Sequence, residues 1–531
     1  MARKVSLGAR ARDNPPRLAS RVLTSARLRF APLFALYLFT RLRGLDLLPI
    51  FLDETLHVRW ALLIAQGEKS WDATWKWGRA LTIWLGALVS PWAEDLLYAN
   101  RLLSVALGVV TLVATVEIAR RLLGERPALL AGLFYLLCPF TLFYDRMALT
   151  EAGLSAFTAL TLLFSIRVAE TGHRGFAMLA GLSFALAVLV KALGVLALPI
   201  PLLTVLLLGP VRARLGVLAL AYACGLPPTA WALRSFVATE NAQHMAELFT
   251  GGGGAFATQL ASSLAEGGGW LWTWCTPPLV VLGLAGAALA VVRRDRKTLL
   301  LVLLAVYPLV AFSSVLSWRM PRYLLPAAVP LLVLAAGTLD VLPTRLLARA
   351  SAAAQERAGP WLTAAAAVLV LVPALRLDRA LWTDPARAAI PEPDRFQYVL
   401  GWPSGYGVRD TERLVREELA RHPGGLTVVV HANRYQNLRV TPLALALAFA
   451  REPRVRLEDW NFADPTLVGA LERWGAAGPT LLVVPRADPA APAPDPSTWT
   501  HLTTLVARTI KPDGRACDDV YRLCAPPGCP R

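Results

Sequence analysis

Charge is what this sequence has little of. Only 17% of its 531 residues are Asp, Glu, Lys or Arg, against 55% that are apolar, and the mean hydropathy is +0.48. Soluble domains carry charge on about a quarter of their residues. The composition therefore excludes an ordinary set of soluble domains and points to a polytopic membrane protein. Acidic residues are the scarcer sign, 37 against 54 basic ones, for a formal net charge of +17. Such an excess can mark a nucleic-acid partner. Here much of the Arg falls in short segments between apolar runs, where it sets topology, so no nucleic acid is expected. Cysteine is sparse too. Cys138, Cys224 and Cys275 lie in or beside apolar runs, and Cys517, Cys524 and Cys529 cluster near the C-terminal end. Neither group has zinc-finger spacing with histidines, which argues against a metal site. In an oxidising compartment Cys517 and Cys524 could bridge, leaving Cys529 odd.

Residues 1–29 are Arg-rich, contain Pro15-Pro16 and have no apolar period. They read as a disordered cytoplasmic arm, longer than a signal peptide and without its cleavage chemistry. A first span is expected at about Phe30 to Phe51, interrupted by Arg41 and Arg43, whose long side chains can snorkel to the interface. Further apolar runs fall at about 102–122, 127–143, 152–168, 176–190, 193–208, 215–233, 270–292, 299–316, 323–342 and 361–375. With the first they make about eleven helices of spanning or near-spanning length. A cytoplasmic N-terminus puts Arg120-Arg121 with Arg126, Arg167 with Arg174, Arg212 with Arg214, Arg293 to Lys297, and Arg345 with Arg349 on the inside. That is the sense the positive-inside rule requires in a multi-pass cell-membrane protein. The odd number of spans places the C-terminus outside.

Asp53 and Glu54 follow the first span directly. An acidic pair there is either a solvated loop start or a site that handles protons or cations. The first outer loop, 53–100, holds Trp60, Trp71, Trp75, Trp77, Trp84 and Trp92. Amphipathic rings favour the headgroup level, so this loop is expected to lie along the outer surface as short interfacial helices. Tyr144 to Glu151 joins spans three and four, Lys191 ends span five, and Ser317 to Tyr323 joins spans nine and ten. Each alone reads as a snorkelling cation or a capped helix end. Together they put carboxylates and cations on one side of the membrane. Such a set suits a substrate whose phosphate is gripped while a neighbouring hydroxyl is deprotonated.

After the last span the composition turns Pro-rich and charged. A linker at 377–394 and a small extracytoplasmic α/β domain at 395–531 are expected, with helices at Asp410–Arg421 and Asp464–Trp474 and strands at Leu426–His431 and Thr480–Val484. The Gly401-Trp402-Pro403-Ser404-Gly405-Tyr406-Gly407 stretch reads as a tight loop, or as an aromatic lip that contacts a glycan. No strand precedes it, so it is not a nucleotide-binding fingerprint.

The acidic pair after the first span, Tyr-Asp-Arg-Met-Ala-Leu-Thr-Glu after the third, Leu-Val-Lys at the end of the fifth and Arg-Met-Pro-Arg-Tyr-Leu-Leu-Pro before the tenth resemble the membrane glycosyltransferases of C-type fold. Within these the similarity is to the protein O-mannosyltransferase and lipid A aminoarabinose transferase superfamily, over roughly residues 30–345. Two departures stand out. The family often has Lys-Pro-Pro in the first outer loop, where this chain reads Lys76-Trp77-Gly78-Arg79, and Glu151 replaces the more common Asp. The resemblance implies an α-helical polytopic fold and transfer of a sugar from a polyprenyl-phosphate carrier to a lipid, glycan or protein acceptor on the extracytoplasmic face, with inversion. It implies Asp53 as general base with Glu54 the weaker candidate, so that Glu54→Gln should cost less. Arg146, Lys191, Arg319 and Arg322 would hold the donor phosphate, and Lys76, Asp145, Glu151 and Tyr323 would contact substrate. No cofactor is expected, and the sequence leaves open whether a divalent cation assists. A lipid or polysaccharide transporter is the alternative. Transporters place ionisable groups near the midplane on repeated, broken helices, whereas these charges lie at outer helix ends without an internal repeat.

Overall fold

The computed structural model describes residues 30–72, 74, 78–237, 256–315, 320–347, 351–431, 440–462, 464–486 and 499–524. Among these, six helices are long and apolar enough to cross a membrane: Leu96–Leu123, Glu151–Thr171, Val211–Arg234, Arg296–Ser313, Pro321–Pro343 and Gln355–Thr383. Shorter apolar helices occupy Phe30–Leu42, Leu81–Trp92, Arg174–Val190, Ala192–Leu208 and Pro277–Arg293. One contiguous core joins most of them, with the fully buried Trp274 and Tyr398 among its largest side chains.

Several spans differ from the sequence expectation, and the differences are local chemistry. The run at 127–143 breaks at Cys138, where Pro139 opens a short second helix, and the run at 193–208 begins as a 3-10 helix, Ala192–Ala197, before the Ile200–Leu208 helix. The run at 270–292 is not one helix. Thr276 takes a positive φ of 67° and Pro277 opens a new helix, so one helix ends at Trp274 and the next runs Pro277–Arg293. The first span stops at Leu42, and Arg41 does not snorkel. Its guanidinium is fully buried, 3.4 Å from Asp145, whose carboxylate also accepts from the hydroxyls of Tyr37 and Tyr135 at 3.1 Å. A charge inside a bundle is tolerated when paired and hydrogen-bonded, and here it clamps the first helix to the turn after span three. Gly108 permits this approach, because a Cβ there would meet the Tyr37 hydroxyl at 2.0 Å.

The C-terminal domain holds a five-stranded sheet of order β2-β1-β3-β5-β4. Strands β1 (Leu426–His431), β2 (Val455–Trp460) and β3 (Thr480–Pro485) are parallel, and β4 (Thr503–Ile510) and β5 (Ala516–Leu523) complete it antiparallel. β1 and β3 are central and apolar, buried between clusters on both faces, which is why they were readable as strands. The expected helices appear as Val408–Arg421 and Leu467–Ala477. The Val440–Ala448 helix and strands β2, β4 and β5 were not foreseen; β2 and β5 are charged, and β2 and β4 are sheet edges without an apolar alternation. Cys517 is a free, buried thiol while Cys524 is disulfide-bonded, so the bridge between these two does not form.

The segment expected as linker is packed. The last membrane helix runs to Thr383, and Asp394 is fully buried. The turn-rich loop then bolts the domain to the start of the Leu52–Ala65 helix: Pro403 O accepts from Leu52 N at 3.0 Å, and Gly405 lies so close to Ile50 that a Cβ would meet its carbonyl at 2.0 Å. Ser404 and Gly405 are buried and Trp402 and Tyr406 half-buried, so the stretch packs as a tight turn with its two aromatic rings partly exposed.

Candidate active site

The acidic pair opens the Leu52–Ala65 helix, where the partial positive charge of the helix N-terminus favours carboxylates. Adjacent residues on a helix point about 100° apart, and the two acids go to different partners. Glu54 is fully buried. Arg101 grips it as a fork, Nε to Oε1 at 2.9 Å and Nη2 to Oε2 at 2.7 Å, while the backbone N–H groups of Ala148 and Phe51 donate at 2.7 and 3.1 Å. Arg101 also donates to the carbonyls of Leu45 and Leu48 at 2.8 and 2.9 Å. Glu54 thus ties three segments together, with both oxygens engaged.

Asp53 faces the other way and keeps 18% of its side chain exposed. Its Oδ2 accepts from Arg322 Nη2 at 3.0 Å and lies 3.6 Å from Arg79 Nη1. Burial alone would raise its pKa, but Arg322 first and Arg79 second hold it well below the usual carboxylate range. Arg322 sits in the 3-10 turn Pro321–Leu324 that starts span ten. Its Nη1 donates to Gln397 Oε1 at 3.0 Å and to the Tyr398 hydroxyl at 3.2 Å. Its Nε lies 3.6 Å from Glu151 and has no hydrogen-bond partner among the described residues. Glu151 in turn accepts from Lys191 Nζ at 2.6 Å, and that ammonium stands 4.3 Å over the ring of Tyr323. His57 completes the set. Its Nδ1–H donates to Ala148 O at 3.2 Å and its Nε2 accepts from Arg79 Nη1 at 3.0 Å. Burial, then Arg79, push the imidazole down to about 4, against the pull of Asp53.

Three cations (Arg79, Lys191, Arg322) therefore face two carboxylates (Asp53, Glu151) around a neutral histidine, leaving one positive charge in excess. A small apolar pocket lies between the membrane helices, lined by Leu154, Leu196, Leu304, Phe312, Val329 and Tyr323. Tyr323 is its link to the cluster, because the Lys191 ammonium stands 4.3 Å and the Arg322 guanidinium 5.7 Å from the centre of its ring.

Of the residues singled out in the sequence, the structure brings Asp53, Glu151, Lys191, Arg322 and Tyr323 together. It does not bring Arg146, whose Nη2 donates to Arg43 O at 2.8 Å and to Gly44 O, nor Asp145, which is spent on Arg41. Lys76 and Arg319 lie outside the described residues. Arg79, His57, Gln397 and Tyr398 were missed. Arg79 had a signal, as a cation three residues beyond Lys76 in the loop where the family carries one; Gln397 and Tyr398 had none, since they come from the segment read as the start of a separate domain. Beside them Asp394 accepts from Trp274 Nε1 at 2.7 Å, and burial pushes its carboxyl up to about 7. Among the described residues no three His, Cys, Asp or Glu side chains converge as a metal centre would need.

A family model described as dolichyl-phosphate-mannose-protein mannosyltransferase matches residues 80–231. The fold is similar to ArnT from Cupriavidus metallidurans bound to undecaprenyl phosphate, with a TM-score of 0.55 and 16% identity over 97% of this chain and 100% of that one. The same protein in its apo state gives a TM-score of 0.53 at 16% identity and the same coverage. The apo oligosaccharyltransferase from Archaeoglobus fulgidus gives 0.50 at 13% identity over 88% of this chain and 69% of that one. No curated protein sequence matches. The resemblance to the C-type membrane glycosyltransferases holds at the level of fold: a polytopic helical bundle with a small C-terminal sheet domain.

Proposed function

We propose that this chain is an integral-membrane glycosyltransferase that moves a sugar from a polyprenyl-phosphate carrier to an acceptor hydroxyl on the extracytoplasmic face, inverting the anomeric carbon. The observation that carries this reading is the cluster of Arg79, Lys191 and Arg322 around the partly exposed Asp53, joined through Tyr323 to an apolar pocket between membrane helices. A prenyl chain would approach along the apolar side of Tyr323, and its phosphate suits a cluster that, among the described residues, has more cations than carboxylates and a buried Arg322 Nε–H with no hydrogen-bond partner there. The description of the matching family model and the undecaprenyl phosphate bound to the similar ArnT support the same donor class.

In this mechanism the acceptor oxygen attacks the anomeric carbon from the face opposite the phosphate, a C–O bond forms, and the bond from that carbon to the phosphate oxygen breaks. The electron pair leaves with the phosphate, whose charge Arg322, Lys191 and Arg79 stabilise. The acceptor proton goes to Asp53. In the unliganded site Asp53 is a poor base because Arg322 and Arg79 hold it ionised. A bound phosphate competes for both guanidiniums, and its own negative charge raises the proton affinity of Asp53. Donor binding thus switches the base on. Glu151 orients Lys191, and Glu54 braces the helix without touching substrate. The N-terminus is cytoplasmic and the sheet domain extracytoplasmic, where a lipid, glycan or protein acceptor is met.

The test is purified full-length protein in detergent with labelled polyprenyl-phosphate sugars. Asp53-dependent release of free polyprenyl phosphate is expected. No transfer from any carrier, together with lipid movement across vesicles, would favour a transporter instead.

A further inference from the structure

His57 is used by no step above, yet it is buried to 5% exposure within the site. We infer that His57 is a positioning residue for Arg79, taking one of its N–H groups and so fixing that guanidinium where it meets the donor phosphate. The inference rests on the donor reading just given.

Arg79 belongs to the first outer loop, and only its backbone neighbourhood is pinned from below. Ala80 N donates to Leu189 O at 3.0 Å and Ala192 N donates to Gly78 O at 2.8 Å, which hold the loop against the end of the helix that leads into Lys191. From there the side chain crosses toward the Leu52–Ala65 helix, with a quarter of it still exposed. Its separation from Asp53, 3.6 Å, is too long for a hydrogen bond. The contact of hydrogen-bond length is to His57 Nε2, at 3.0 Å. A long, partly exposed Arg would otherwise sample many rotamers, and ordering it in advance removes that entropy from donor binding.

The ring is itself oriented. Positions 54 and 57 share one face of the helix, and both engage the backbone of the same residue: Ala148 N–H donates to Glu54, and Ala148 C=O accepts from His57 Nδ1–H. The bond at Nδ1 selects the tautomer whose Nε2 bears the lone pair. His57 is therefore an acceptor toward Arg79, and Arg79 keeps its remaining N–H groups for an incoming anion. The Glu54 braces and the cationic cluster are linked through the backbone of this one residue, Ala148.

The two ring nitrogens can be separated experimentally. In His57→Asn the amide can serve the Ala148 carbonyl but is too short to reach Arg79; in His57→Gln the acceptor can reach Arg79. The probe is undecaprenyl phosphate, with its affinity for full-length protein in detergent as the readout and thermal unfolding measured alongside. His57→Gln should bind within about threefold of wild type. His57→Asn and Arg79→Leu should each lose roughly tenfold, the scale of one charge-assisted contact, and the double variant should be no worse than Arg79→Leu alone. Wild-type affinity in His57→Asn, or losses that multiply in the double variant, would overturn the inference and leave the donor reading standing. If His57→Asn does not fold, His57→Gln decides: retention of affinity supports the inference, and a loss equal to that of Arg79→Leu overturns it. Should wild type itself bind no undecaprenyl phosphate, the donor reading and this inference both fall.

Discussion

Asp53→Asn should separate chemistry from binding. Asn keeps the size of the side chain and an acceptor oxygen for Arg322, 3.0 Å away, so the fold of the site is retained. What disappears is one negative charge and the ability to take a proton at neutral pH. Loss of a general base lowers turnover by roughly 10²–10⁴-fold. Lipid-phosphate affinity should move the other way. With Asp53 present, three cations face two carboxylates, and the donor phosphate must compete for Arg322 and Arg79. A carboxylate about 6 Å from a phosphate repels it by at most about 3 kcal/mol at an effective dielectric near 20, and solvent screening removes part of that. Removing it should therefore tighten undecaprenyl phosphate binding several-fold. The assay is sugar transfer from a labelled polyprenyl-phosphate donor by purified protein, with lipid-phosphate affinity measured on the same preparation. Transfer within about threefold of wild type would refute the base assignment. Loss of lipid binding in step with transfer would show that Asp53 holds the site together and does not act on the acceptor.

Glu54→Gln should behave as a folding variant, contrary to the mild effect its sequence position suggests. It removes the ion-pair partner of the buried Arg101, at a cost of about 3–5 kcal/mol, read as a lowered unfolding temperature and yield. Arg322→Lys keeps the charge but cannot reach Asp53, Gln397 and Tyr398 at once, so donor KM should rise about tenfold or more; unchanged donor KM and turnover would make Arg322 an interfacial anchor only. A reporter fused after Arg531 should be active outside the cytoplasm, and activity confined to the cytoplasm would invert the side on which Asp53 works.

Hydropathy and charge by themselves determined that this chain is a polytopic helical membrane protein, because a bilayer admits few solutions to backbone hydrogen bonding and apolar runs announce them. They also delivered Asp53, Glu151, Lys191 and Arg322 as charged residues at the ends of apolar helices, since ionisable groups are rare enough there to stand out. Which of the charges meet was a matter of tertiary structure alone. Asp53 and Glu54 are neighbours in sequence, yet a turn of about 100° sends one to the cationic cluster and the other to Arg101. Asp145 and Arg146 sit in one of the motifs that carry the family resemblance, and both face inward, to Arg41 and to backbone carbonyls. Arg322 touches Gln397 and Tyr398 across 75 and 76 residues of intervening chain, a contact that no local pattern encodes. A hydropathy pattern records what each side chain would rather avoid. The partner that satisfies a buried charge is selected only when the packed helices bring distant segments within about 3 Å, and that selection separated Glu54, Asp145 and Arg146, whose partners are structural, from the cluster of Asp53, Arg322, Glu151 and Lys191.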